Sequence, residues 1–265
     1  MLGFDVHPGG HHTGQGTYNA LIRFGLDYIE LFSVYDENEA RLSQHAHNIV
    51  EFLVQREDGL VGYALATTDI QQEAEHFRNS NLDALGPFAM QRKRLDGHLL
   101  TWSLLLPHGV AWGQPWPFLI QWDIPDEQRL AWEEPGTHLN GVIGCKGIAV
   151  AVRNLESAID LYHRQLGLEL VRRDVVPALD AQRATFRVGT FEIDLLSPDG
   201  EGLVQHQLNT IGERPFELRL AVRDLEQTRA FFAQHNLSSQ PDPVHPGSIV
   251  LMPEQALGVR FVFST

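Results

Sequence analysis

Apolar and polar positions along this chain fall into a pattern that recurs. Residues 147–155 read GIAVAVRNL and residues 217–225 read ELRLAVRDL, each an apolar run closing on Val-Arg-Asn/Asp-Leu. Short apolar runs of this kind predict strands. Asn154 and Asp224 then stand where a helix N-cap is wanted. The helices expected next are LESAIDLYHRQLG (155–167) and LEQTRAFFAQHN (225–236). In the first, Ala158, Leu161, Tyr162 and Leu166 make an apolar stripe at helical spacing, and Gly167 is placed to stop it. After Gly167 the period shortens to two. LELVRRDVV (168–176), QRATFRVGT (182–190) and FEIDLLSP (191–198) predict three strands, so the module is strand, helix, three strands.

Other copies follow the same plan. One begins at Gly59, where GLVGYALATTDI leads to Asp69 as cap, QQEAEHFRNSN as helix, and strands near 88–94, 98–106 and 117–122. The last copy ends with SIVLM (248–252) and VRFVFS (259–264). At the start, Met1-Leu-Gly-Phe-Asp-Val aligns with Gln165-Leu-Gly-Leu-Glu-Leu, the end of a helix and the beginning of a second strand. TYNALIRFG (17–25) and DYIELFSVY (27–35) supply the third and fourth strands, so the first module lacks its opening strand and most of its helix. Either the chain begins downstream of a natural start, which this reading favours, or the module is truncated. The second case leaves a strand edge open to another chain, which suggests a homodimer; the mass of the native N-terminus separates the two. Ala40, Leu42, His45, Ile49, Phe52 and Leu53 predict an amphipathic helix within residues 36–58. The Pro- and Gly-rich stretch 123–145, with EEPGTHLNG, places a boundary near residue 140 and predicts domains 1–140 and 141–265 of two modules each.

Composition narrows the function classes. Apolar residues make up 43% of the 265, enough to bury a core, so disorder is excluded. With 20 Lys and Arg against 34 Asp and Glu, the formal net charge is −14, which argues against nucleic-acid and anionic-membrane partners. Cys145 is the lone cysteine, so no internal disulfide forms and a reducing, cytoplasmic setting is expected. Residues 1–10 carry neither the basic nor the apolar region of a signal peptide. No apolar run reaches the roughly 20 residues of a membrane span. No Rossmann or Walker glycine loop, GxSxG or CxxC is present, which leaves nucleotide-cofactor, serine-hydrolase and thiol-redox readings unsupported.

Paired βαβββ modules resemble the vicinal oxygen chelate superfamily. Three phrases in order, PGGHHTGQGTYNALIRFGLDYIELFSV, RKRLDGHLLTW and PFLIQWD, resemble its glyoxalase-like domain family. The resemblance implies an α+β fold in which each pair of modules curls into a half-open barrel around a cavity. It further implies that carboxylates and imidazoles from the first and fourth strands of each module converge there on a divalent metal. Glu30 takes a fourth-strand place, Gly62 a first-strand place and Gln121 a fourth-strand place; in the second domain the four places read Gly147, Asp194, Glu217 and Val262. Each half offers two oxygen ligands at most, Glu30 with Gln121 and Asp194 with Glu217. Such a set suits a weakly held, hydrated divalent ion and no tight Zn²⁺ or Fe²⁺.

Several side chains carry candidate chemistry beside an ordinary reading. Glu30, between Ile29 and Leu31, faces opposite its neighbours, as a catalytic carboxylate in the cavity or a charge in solvent. His12 and Asn19, close to the turn glycines Gly9, Gly10, Gly14 and Gly16, are positions to which the resemblance draws attention as substrate-binding groups. The Leu-Asp-Gly turn puts Arg92 and Arg94 on one strand face, where they would capture a carboxylate or phosphate, or else form a solvated edge. Trp102 is expected as cavity wall and Gln121 as a polar cavity group. Trp112, Trp116, Phe118 and Trp122 read as core. His45 and His47 are two apart on a helix and face different ways. Cys145, beside Lys146, reads as an inert thiol. Two functions stay open: a module that binds a small oxygenated or anionic molecule without a tight metal, or a lyase, isomerase or dioxygenase whose metal site is completed by the missing strand or a partner chain.

Overall fold

The alternating runs fold as strands, and the computed structural model describes residues 2–43, 47–55, 58–94 and 96–265. Met1, His45 and the turn residue Leu95, each used in the sequence reading, lie outside the described residues. Contacts divide the chain into two units. An N-terminal unit holds residues 5–57 and 61–137, and a C-terminal unit holds residues 1–4, 58–60 and 138–265.

The C-terminal unit shows the module complete. Strand β8 (Val142–Ala151 in chain order, after seven strands given below) leads to a helix at Leu155–Ile159 whose N-cap, Asn154, accepts from the Ser157 amide. That helix continues as a π-helical stretch, Asp160–Gln165, which buries Tyr162 and stops before Gly167 at φ +70°. Strands β9 (Glu169–Val176), β10 (Ala181–Val188) and β11 (Phe191–Pro198) follow. The second module repeats this with β12 (Arg214–Val222), a helix at Leu225–Gln234 capped by Asp224, and β13 (Ser239–Pro241), β14 (Ile249–Leu251) and β15 (Arg260–Ser264). The sheet order is β13-β14-β15-β12-β8-β11-β10-β9. In each module the first strand lies parallel to the fourth (β8 with β11, β12 with β15), and the modules join antiparallel through their first strands, β8 and β12. A helix at Leu203–Thr210, not expected from the sequence, bridges the modules and buries Val204 and Leu208 against Ala149, Ala151, Leu196 and Phe216.

The N-terminal unit begins with β1 (His7–His12), β2 (Thr17–Phe24) and β3 (Asp27–Val34). Two short helices follow, α1 (Glu37–Leu42) and α2 (His47–Gln55), where one was expected. Its second module is β4 (Ala64–Ala66), α3 (Ile70–Asn79), β5 (Ala84–Lys93), β6 (Leu99–Pro107) and β7 (Phe118–Trp122), and α4 (Asp126–Trp132) closes the unit. The order is β3-β2-β1-β5-β6-β7-β4. The first module thus supplies three strands, and β3 pairs with β2 alone among the described residues. Among the described residues the modules are joined through β1 and β5, at the pair His12–Arg92. The glycine-rich stretch expected as a turn is strand as far as His12; a bulge between Pro8 and Gly10 absorbs the irregularity. The fold is α+β, built from tandem βαβββ modules in curled sheets. Among the described residues no helix is long and apolar enough to cross a membrane.

Candidate functional site

Strand alternation sets the inner face of the N-terminal unit. On β2 the residues Asn19, Leu21 and Arg23 point one way, and the register places Phe32, Glu30 and Tyr28 of β3 opposite them. Where β1 meets β5, His12 and Arg92 arrive on the same face. Four expected site residues are therefore brought together. Arg92 Nη1 donates to Asn19 Oδ1 at 3.0 Å. A guanidinium only donates, so the amide oxygen faces Arg92 and the amide NH₂ turns toward His12 and Glu30. Asn19 Nδ2 donates to Glu30 Oε1 at 2.7 Å and lies 3.3 Å from His12 Nε2. With Nε2 accepting, Nδ1 carries the imidazole proton and donates to Thr17 Oγ1, 2.9 Å away. Phe32 stacks on the imidazole at 5.5 Å, and Trp102 meets it edge-on at 6.4 Å. Burial pushes His12 down to about 4, helped by the neighbouring charges of Arg92 and His11. Burial holds the Glu30 carboxyl above its ordinary value of 4.5, against the pull of the Asn19 hydrogen bond and of Arg92 and Arg23.

Arg92 also reaches the other way. Its Nη2 donates to Glu133 Oε1 at 3.0 Å, and the same oxygen takes Arg23 Nη2 at 2.5 Å and Arg94 Nη1 at 3.2 Å. These residues line a cleft of about 390 Å³ with His7, Gly9, Asp96 and Trp132. Each guanidinium has a second anchor. Arg92 holds Asn19, Arg94 pairs with Asp96 at 2.9 Å, and Arg23 lies 5.5 Å over the Tyr28 ring. Glu133 is 3% exposed, yet among the described residues its Oε2 has no hydrogen-bond partner, and neither has the buried Nε of Arg92. Arg23 and Glu133 were not singled out from the sequence. Arg23 was within reach of the alternation argument, two places beyond Leu21 and four beyond Asn19. Glu133 sits in the irregular connector after α4 and carries no local signal.

The remaining candidates lie elsewhere. Gln121 Oε1 accepts from the Ile70 amide at 2.8 Å and its Nε2 donates to Thr68 O at 3.1 Å, so the structure places it at the start of α3 and not beside Glu30. Gly62 is packed against Ala111 O and the Trp112 ring. In the C-terminal unit Asp194 accepts from Thr185 Oγ1 at 2.6 Å and from Arg219 Nη1 at 2.5 Å. Glu217 pairs with Arg260 and lies 3.3 Å from His245 Nε2. The Arg219 guanidinium fills the space that a Cβ on Gly147 would need. These donor sets do not fit a divalent ion. Guanidiniums already neutralise both C-terminal carboxylates, and in the N-terminal unit the Asn19 NH₂ stands between His12 and Glu30. Among the described residues no three His, Cys, Asp or Glu side chains converge as an ion site.

The sequence model of the glyoxalase-like domain family matches residues 1–166. Among solved structures, a hypothetical protein from Staphylococcus aureus has a TM-score of 0.70 and 16% identity, covering 98% of this chain and 90% of its own. Methylmalonyl-CoA epimerase from Mycobacterium tuberculosis has a TM-score of 0.43 and 23% identity over 50% of this chain and 93% of that one. A hypothetical protein from Bacillus halodurans C-125 gives 0.42 and 22% over 45% and 91%. No curated protein matches the chain. At 16% identity the likeness to the Staphylococcus aureus protein is one of fold.

Proposed function

The chain belongs to the glyoxalase-like domain family, within the vicinal oxygen chelate superfamily, and from that premise we propose that its N-terminal unit binds a small oxygenated organic anion in the cleft of Arg23, Arg92 and Arg94. One observation carries the reading: three guanidiniums meet at a single carboxylate oxygen in an open cleft. Three acids, Glu133, Asp96 and Glu134, line the cleft with the three guanidiniums, so formal charge balances and the reading rests on the guanidinium geometry. Guanidiniums prefer planar, two-pronged oxygen anions. Asn19 holds Arg92 from behind and is itself bonded to Glu30 and 3.3 Å from His12, which Trp102 meets edge-on.

The test is titration calorimetry with small carboxylates and with inorganic phosphate. Arg94→Ala, at the more exposed edge, should weaken binding by about 10–100-fold, the loss of a charged hydrogen bond worth roughly 1.5–3 kcal/mol. Arg183→Ala in the C-terminal unit should leave it unchanged. Equal affinities in wild type and Arg94→Ala would remove the proposal.

A second reading rests on Glu30. A carboxylate held above its usual range and 3.7 Å from His12 Nε2 is suited to take a proton from a bound ligand. Any divalent ion at Glu30 would be weakly held through one carboxylate and water. Elemental analysis of the wild type and of Glu30→Ala checks this. Stoichiometric metal lost on substitution favours the metal-dependent lyase, isomerase or dioxygenase. Metal-free protein that still binds its ligand favours the binding module.

A further inference from the structure

We propose that Glu133 is a tethered occupant of the arginine site, that the ligand group taking its place is a carboxylate, and that binding displaces the Glu133 side chain. The inference rests on the anion-binding reading above and adds the ligand class and its control.

Four observations support it. First, the carboxylate is poorly used. All three guanidiniums converge on Oε1, while Oε2 and Arg92 Nε are buried with no partner among the described residues. A buried polar atom left unpaired is destabilising, so Glu133 is an imperfect fit to cations that a free carboxylate would satisfy better. Second, the molecule holds its own standard of comparison. Asp194 in the C-terminal unit is equally buried, and both its oxygens are engaged, by Thr185 and Arg219. Asp194 shows a buried carboxylate fully engaged, whereas Asp242, paired with Arg260 through Oδ1, leaves its Oδ2 without a partner among the described residues. Third, the cations stand without Glu133. Arg92 is held by Asn19, Arg94 by Asp96 and Arg23 on the Tyr28 ring, so the site stays assembled when the carboxylate leaves. Fourth, Glu133 comes from no strand. It follows α4 on a short segment pinned on one side by Arg129 Nη2 donating to Leu26 O at 2.7 Å, and on the other by the Gly136 amide donating to Arg23 O at 3.0 Å. With both ends held, the movable part is the side chain, which turns about its own bonds toward the cleft that Trp132 and Glu134 also line.

A tethered competitor lowers apparent affinity by its local concentration, which for short tethers is of millimolar order or more. Acetate, the smallest stand-in for the glutamate head group, is the probe, with inorganic phosphate as the alternative anion and sodium chloride as the ionic-strength control. Glu133→Gln and Glu133→Ala should bind acetate at least about tenfold more tightly than wild type, and acetate should restore the melting temperature of Glu133→Ala better than phosphate does. Equal acetate affinity in wild type and both variants overturns the tethered-occupant proposal, and if Arg94→Ala still weakens that binding, the anion reading survives. Absence of acetate binding in all four proteins removes both. Preference for phosphate over acetate overturns the carboxylate assignment. Should the Glu133 variants not fold, carbon NMR of the Glu133 side-chain carboxylate in the wild type decides. Its resonance moves on acetate saturation if the carboxylate is displaced from the guanidiniums, and an unchanged resonance overturns the proposal.

Discussion

His12, Asn19, Glu30 and Arg92 meet on the inner face of the N-terminal unit, joined through Asn19. His12 illustrates the cost. Its folded value is about 4 against an unperturbed 6.5, so between those pH values the unfolded chain binds a proton that the folded protein refuses. Stability should fall as pH drops from 6.5 toward 4, by on the order of 3 kcal/mol when complete, and His12→Gln should flatten that slope in urea titrations. Glu30 acts with the opposite sign. Its raised value gives stability that is full below 4.5 and lost as pH rises through the folded value, so Glu30→Gln should gain relative to wild type at neutral pH. Gly9 shows why a small residue borders the cluster. A Cβ there would collide with Asn19 Oδ1 and come within 2.6 Å of Arg92 Nη1. Gly9→Ala should cost about 1–3 kcal/mol and weaken anion binding, because it turns the amide that orients Arg92. At this scale the sequence showed which residues were unusual (His12, Asn19, Glu30, Arg92) but not their partners, since a hydrogen bond spanning 73 positions has no local signature.

Elements were read best where both a period and a cap were present. Asn154, Asp69 and Asp224 cap helices as their positions predict. The start of α3 has a second device, since Gln121 accepts from the Ile70 amide alongside the Asp69 cap. Gln121→Leu should therefore lower stability by about 1 kcal/mol, seen as a lower melting temperature, and leave acetate affinity unchanged; a loss of affinity would return Gln121 to the site. Elements without a clear period were harder. The helix at 203–210 is short and mixed in character, and it forms because Val204 and Leu208 meet a buried face supplied by distant strands. Strand β1 was hidden by its glycines, whose bulge is stabilised by pairing with β2. The outer edge of β3 carries Leu31 at 37% exposure. Pairing of two copies along this edge, the suggested homodimer, should be weakened by Leu31→Lys in sedimentation.

The same module is joined in two ways within one molecule. First strands meet in the C-terminal unit, and second strands meet in the N-terminal unit. The interiors differ accordingly. Arg219 and Arg260 neutralise the acids of the first, whereas the second keeps a cleft in which three guanidiniums crowd one carboxylate oxygen. Residues 2–4 belong to the C-terminal unit: Gly3 O accepts from the Leu139 amide at 2.9 Å, Leu2 O from Asn140 Nδ2 at 2.9 Å, and Phe4 lies 6.0 Å from the Phe261 ring. Deleting residues 1–4 should lower the melting transition of that unit, at about 1 kcal/mol per hydrogen bond lost, while acetate binding in the N-terminal unit persists.

Alone, the sequence determined the module, its repetition and the family likeness, because these depend on periodicity, caps and turns that act over a few residues. It also marked the sparse set of oxygen donors at the expected metal places. Tertiary structure decided what those positions do. Glu133 reaches Arg92 from a connector 41 residues away, Gln121 is drawn to a helix start, and Arg219 stands against Gly147. Charges in an interior are settled by whichever partner the fold brings near, and that pairing is written in no local stretch of the chain.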